Sequence, residues 1–179
     1  MPRYRRVRIS GASYFFTLNC VRRNRNTLLV DHITELRQAF RKVRTNHPFN
    51  IDAIVVLPEH LHCIWTLPPG DADYKTRWAL IKAGFSRAIP LVEPRSDSRI
   101  KRGERGLWQR RYWEHLIRDD EDFERHADYI HWNPVKHGWV KRVSEWPYSS
   151  FHSYVKQGAY PKDWASSQDI VFDAGEWDD

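Results

Sequence analysis

Apolar positions along the chain follow two rhythms, alternation and a spacing of three to four, and together they outline a mixed fold. Ala12–Cys20 is aromatic and β-forming, which predicts a first strand. Ile33, Leu36, Phe40 and Val43 then recur at helical spacing, with Arg37, Arg41, Lys42 and Arg44 on the other face. Asp31 is the expected cap of this helix, and Asn46-His47-Pro48 ends it because the residue before proline avoids the α region. Phe49–Leu57 predicts a second strand, Pro58-Glu59 a tight turn, and His60 to about Leu67 a third strand paired with the second. Past Pro68-Pro69-Gly70-Asp71 a second helix is expected to bury Trp78, Ile81, Phe85 and Ile89 and to expose Lys75, Arg77, Lys82 and Arg87. Residues 90–106 are polar and basic without periodicity, which predicts a mobile loop, variable over about 91–106. Trp108–Ile117 resumes strand character, and a helix opening on Asp119-Asp120-Glu121-Asp122 continues through Phe123, Ala127 and Ile130 to Asn133-Pro134.

Strand, helix, strand, strand, helix, strand and a further helix is the ferredoxin-like βαββαβ order. The expected class is therefore α+β, with the two crossover helices on one face of the sheet and a C-terminal helix in addition. Residues 1–165 read as a single domain and 166–179 as an acidic tail.

Chemistry enters at Leu57-Pro58-Glu59-His60-Leu61-His62-Cys63. Alternate residues of a strand share a face, so His60 and His62 can converge on one divalent cation and leave the rest of its coordination open. Two histidines in a strand are more often ordinary hydrogen-bonded residues, so the pair needs support from elsewhere in the chain. Net charge is +6, and 9 Trp, 8 Tyr and 8 Phe give a heavy aromatic load. Cations for phosphates and flat rings for unstacked bases suit a nucleic-acid binder, although a solvated surface around an aromatic core explains the composition as well. Cys20 and Cys63 sit in apolar runs and are expected as buried thiols. No apolar run reaches the length of a membrane span and no signal-peptide core is visible, which together suggest a cytoplasmic protein.

In the last helix Tyr129 and Asn133 lie four residues apart and hence on one face. The amide oxygen of Asn133 could complete a metal site, with the Tyr129 phenol beside it as a nucleophile toward an activated phosphate. The plainer reading is a core aromatic and a helix-ending asparagine.

Three stretches carry a family resemblance: Val55–Trp65, Tyr112-Trp113-Glu114-His115, and above all Asp128-Tyr129-Ile130-His131-Trp132-Asn133-Pro134-Val135-Lys136-His137-Gly138, with Trp146-Pro147-Tyr148-Ser149-Ser150 continuing it. Over nearly the whole chain the sequence resembles the single-tyrosine HUH transposases, most closely the REP-associated tyrosine transposases of bacteria. The resemblance implies Mg²⁺ or Mn²⁺ held by His60, His62 and Asn133. Tyr129 would attack a phosphate of single-stranded DNA, giving a 5′-phosphotyrosine and a free 3′-hydroxyl that can later rejoin. Substrates in that family are REP sequences, short palindromic hairpins. Charge and location, rather than motif, make Arg3, Arg5, Arg6, Arg22, Arg23, Arg25, Arg110 and Arg111 candidate DNA contacts. The REP branch implies a monomer, whereas insertion-sequence relatives act as dimers. The tail from Asp169 is a candidate competitor for the DNA groove, or a solvated end. Two rival functions are a catalytically silent repeat-binding module and a nuclease whose histidines activate water.

Overall fold

A computed structural model of the chain describes residues 8–91, 93 and 95–165. The N-terminal arm with Arg3, Arg5 and Arg6, and the acidic tail 166–179, lie outside the described residues.

Strand β1 (Ser13–Asn19) leads through a short turn, α1 (Leu28–Asp31), into α2 (Ile33–Asn46). Strands β2 (Asn50–Val56) and β3 (His60–Thr66) form a hairpin, and α3 (Tyr74–Ala88), a short α4 (Asp97–Lys101), β4 (Trp113–Leu116) and α5 (Asp120–Lys136) follow, then α6 (Phe151–Lys156). All strand pairs are antiparallel in the order β2-β3-β1-β4, the ferredoxin-like topology.

Both faces of the sheet are covered, which explains why β1 and β3 are apolar almost throughout. Tyr14, Phe16 and Leu18 of β1 and Leu61, Cys63 and Trp65 of β3 enter one core with α2 and α3. Trp65 stacks on Trp78 at 3.9 Å between ring centroids and meets Phe49 at 4.1 Å. Truncating a ring buried in this way costs about 3–5 kcal/mol, so the odd-numbered side chains of β3 fix its rotation firmly. The even-numbered side chains are thereby turned to the opposite face. There Phe15, Val55 and Ile64 pack against Ala127, Tyr129 and Ile130 of α5. The crossover helices thus occupy one face, as expected, and the tyrosine helix the other.

Several local expectations are corrected. Asp31 ends α1 instead of capping α2, and its carboxylate accepts the Thr27 hydroxyl at 2.6 Å. Arg77 is buried, because its guanidinium bonds Asp71 together with the carbonyls of His47, Pro48 and Asp73. Within the expected loop 90–106, α4 forms, and Arg105 binds Glu93 at 2.6 Å and the carbonyls of Ser86, Ile89 and Pro90. Trp108 meets Cys20 only in an isolated bridge, so the fourth strand is shorter than the expected Trp108–Ile117. Cys20 and Cys63 are free and buried, and burial pushes the Cys20 thiol up to about 12.

Candidate active site

His60 and His62 sit at the start of β3 on the face that α5 covers, both almost fully buried. Their rings lie 4.9 Å apart. Each Nδ1 is engaged by a side chain of its own locality. Thr17 pairs with His62 across the β1–β3 register, and its hydroxyl meets His62 Nδ1 at 2.9 Å. The Glu59 carboxylate lies 3.0 Å from His60 Nδ1. With both Nδ1 atoms engaged, a cation would be taken through Nε2, and a carboxylate behind a ligating imidazole raises its basicity. Burial works against the charge on Glu59, yet the hydrogen bond and charge of His60 hold its carboxyl below the usual range. Burial pushes His60 itself down, toward the neutral form that binds metals.

Helix α5 supplies the rest. Asp119 caps it, accepting the Asp122 N–H at 2.8 Å, and the helix runs through Pro134 to Lys136. The Tyr129 ring meets that of His62 edge-on at 5.3 Å, and the His137 ring meets that of His60 at 5.1 Å. Asn133 lies four residues from each, so it stands on the same helix face between these two contacts. Asn133 is completely buried, and neither its Oδ1 nor its Nδ2 meets a hydrogen-bond partner among the described residues. A buried amide left in that state costs about 1–3 kcal/mol, so Asn133 does not stand there for the stability it adds. Two imidazoles and an amide oxygen beside a phosphate oxygen suit a Mn²⁺- or Mg²⁺-class cation, so the residues present fit the implied metal.

Four residues beside the site escaped the sequence reading, and Thr17, against His62 Nδ1, is the first of them. Glu59 stands behind His60, while Lys136 and His137 lie on the tyrosine face of α5. The Lys136 amine donates to the Tyr129 hydroxyl at 3.4 Å. Desolvation and the neighbouring His60 and His62 push His137 down to about 4. Gly138, at φ 71°, turns the chain away just after His137, letting the Trp139 N–H return to the Pro134 carbonyl at 2.9 Å. The signal for Lys136 and His137 was available as spacings of seven and eight from Tyr129. It is visible only if the helix is carried through Pro134.

A second group, His115, Asp122 and His126, also offers ligand atoms within 4.8 Å of one another. Its carboxylate is already occupied: Asp122 accepts from His115 Nε2 at 2.8 Å, the Arg118 N–H at 3.0 Å and Arg125 at 3.1 Å. Guanidinium groups on the only carboxylate suit a structural tie between β4 and α5 better than a cation. Phe15 touches His126, His62 and Tyr129, and so connects this tie to the site.

Of the candidate DNA contacts, Arg22, Arg23 and Arg25 are exposed on the loop after β1. Arg23 lies close enough to act electrostatically on His60. Arg111 is exposed, whereas Arg110 is paired with Glu104 at 3.0 Å. Among the described residues no helix is long and apolar enough to cross a membrane.

No family model matches the chain. It is 49% identical over 177 residues to the REP-associated tyrosine transposase of Escherichia coli (strain K12), covering 98% of each protein. A Haemophilus influenzae relative named for the same family is 45% identical over 171 residues, 95% of this chain and 97% of that one. Among solved structures, a REP-associated tyrosine transposase bound to a REP hairpin matches with a TM-score of 0.83 at 48% identity, covering 99% of this chain and 98% of that one. The likeness in sequence and fold extends over almost the full length of the chain. The chain belongs to the REP-associated tyrosine transposases, DNA-processing enzymes of the HUH type.

Proposed function

We propose that the protein cleaves and rejoins single-stranded DNA at REP-type hairpins, acting on the bacterial chromosome in the cytoplasm, through a covalent bond between Tyr129 and a 5′-phosphate. The observation that carries this reading is the placement of the Tyr129 phenol against His62, with the orphaned amide of Asn133 one turn farther along the same helix face. His60, His62 and Asn133 would hold Mg²⁺ or Mn²⁺. When bound, the cation supplies charge for a phosphate oxygen and polarises the phosphorus.

This chain's own residues do the rest. Thr17 and Glu59 orient the two imidazoles through their Nδ1 atoms. Helix α5 holds the Tyr129 oxygen for attack on phosphorus, and a tethered nucleophile gains from orientation and proximity. As the tyrosine O–P bond forms, the phenol gives its proton to water, the P–O3′ bond breaks and the released 3′-oxygen takes a proton from water. Attack by a 3′-hydroxyl reverses the sequence, so no nucleotide cofactor is needed. Arg22, Arg23 and Arg25 border the same end of the sheet and offer guanidinium groups to the DNA backbone.

The test is covalent capture on hairpin-bearing single-stranded DNA with Mn²⁺ or with chelator. Native protein should give a protein–DNA adduct on a denaturing gel only with the metal, and Tyr129→Phe should give none. Cleavage by Tyr129→Phe without an adduct would assign the reaction to activated water. Hairpin binding with neither cleavage nor adduct would leave only a repeat-binding module.

A further inference from the structure

Lys136 is the last residue of α5, seven positions beyond Tyr129. Seven residues advance about 10 Å along a helix and return to within about 20° of the starting face. Long helical side chains lean toward the N-terminus, so a lysine can span that gap. Its amine donates to the Tyr129 oxygen at 3.4 Å and stands 5.0 Å from the centre of the ring. The ordinary role of a lysine in a last turn is to offset the negative end of the helix dipole, and it performs this near the terminal carbonyls. Here the ammonium is turned two turns back, onto the oxygen that would make and break the bond to phosphorus. Phe15 and His62 meet the tyrosine ring itself.

We propose that Lys136 is a catalytic residue of the tyrosine transfer: its ammonium stabilises the negative charge on the Tyr129 oxygen whenever that oxygen is the leaving group. This rests on the tyrosine-transfer reading above. In rejoining, a 3′-hydroxyl gives its proton to water as the new O3′–P bond forms. The tyrosine O–P bond breaks, its electron pair stays on the phenol oxygen, and that oxygen recovers a proton from water. A hydrogen bond from an ammonium is stronger to a developing phenoxide than to a phosphate ester oxygen, so it lowers the barrier instead of merely tightening binding. Because cleavage is the same path in reverse, the charge serves both directions.

The experiment isolates the covalent adduct and chases it with a strand bearing a 3′-hydroxyl, in Mn²⁺. It compares native protein, Lys136→Met and Lys136→Arg, each with tyrosine or 3-fluorotyrosine at position 129. Long incubation supplies the adduct of the slow variant. Lys136→Met is expected to rejoin about 10–100-fold more slowly and Lys136→Arg to recover most of the rate, with hairpin affinity and melting temperature unchanged. Fluorination should shrink the Lys136→Met deficit severalfold, since a more stable phenoxide needs less help. A merely structural lysine would not respond to the electronics of the ring. Native-like rejoining by Lys136→Met, a deficit indifferent to fluorination, or a deficit explained by lost hairpin binding would each overturn the assignment. If native protein forms no adduct, the tyrosine-transfer reading falls and this one with it. If native protein forms the adduct and Lys136→Met is unimpaired, only the role of Lys136 falls.

Discussion

Replacing Asn133 by leucine should make the metal-free protein more stable and the metal-loaded protein comparatively less so. Asn133 is fully buried and its amide has no hydrogen-bond partner among the described residues. Removing an unsatisfied buried amide is worth about 1–3 kcal/mol. Leucine adds a few tenths through its better helix propensity and gives some back through its slightly larger volume. The net expectation in chelator is a gain of about 1 kcal/mol, or about 2–4 °C in melting temperature for a chain of this size. Mn²⁺ at about a hundred times its dissociation constant should stabilise native protein by about 2.7 kcal/mol, and the variant far less because it has lost one ligand. The two melting curves should therefore exchange order between EDTA and saturating Mn²⁺. Thermal melts of both proteins in both buffers read this without any assay of activity. If Asn133→Leu instead melts several degrees below native in EDTA, the amide is a structural group. An undiminished Mn²⁺ shift in the variant would remove Asn133 from the metal site.

Three further outcomes follow from particular contacts. Burial opposes the charge of Asp122, but hydrogen bonds from His115 and the Arg118 N–H outweigh it and hold its carboxyl well below the usual range. Asp122→Asn should cost about 2 kcal/mol at neutral pH, the partly exposed Arg118 and Arg125 contributing little. Since the folded pKa is the lower one, that deficit should be constant above about pH 5 and shrink as the pH falls below about 4, as urea melts across pH would show. Arg77→Ala should destabilise by about 3 kcal/mol in a urea melt, because it strands Asp71 and frees the carbonyls of His47 and Pro48 at the junction of α2 and α3. Arg23→Ala should weaken hairpin binding and reduce the salt dependence of log K by about one, measured by titration at several salt concentrations.

Much of the candidate site was legible as geometry, because its residues lie at short periods. Alternation in β3 is enough to put His60 and His62 on one face, and a four-residue step is enough to align Tyr129 with Asn133. What escaped depends on contacts between distant segments or on a rule locally overridden. Pro134 reads as the end of a helix, yet packing carries α5 through to Lys136 and brings Lys136 and His137 to the site. Arg77 has the spacing of an exposed residue, and only the fold brings the carbonyls of His47 and Pro48 around it. The segment 90–106 has no period of its own; its order comes from Arg105 reaching Glu93 and the end of α3. Thr17 becomes part of the site through strand register, which the sequence of β1 alone does not reveal.

Mass spectrometry of the covalent adduct tests directly whether Tyr129 carries the DNA. DNA-bound protein formed in Mn²⁺ is digested with trypsin and nuclease, and the peptide bearing a nucleotide is sequenced. A single modified peptide is expected, with the phosphate ester on the Tyr129 oxygen and a 5′-linked nucleotide. Modification of another residue, or a cleaved strand with no peptide attached, would rule out Tyr129 as the nucleophile.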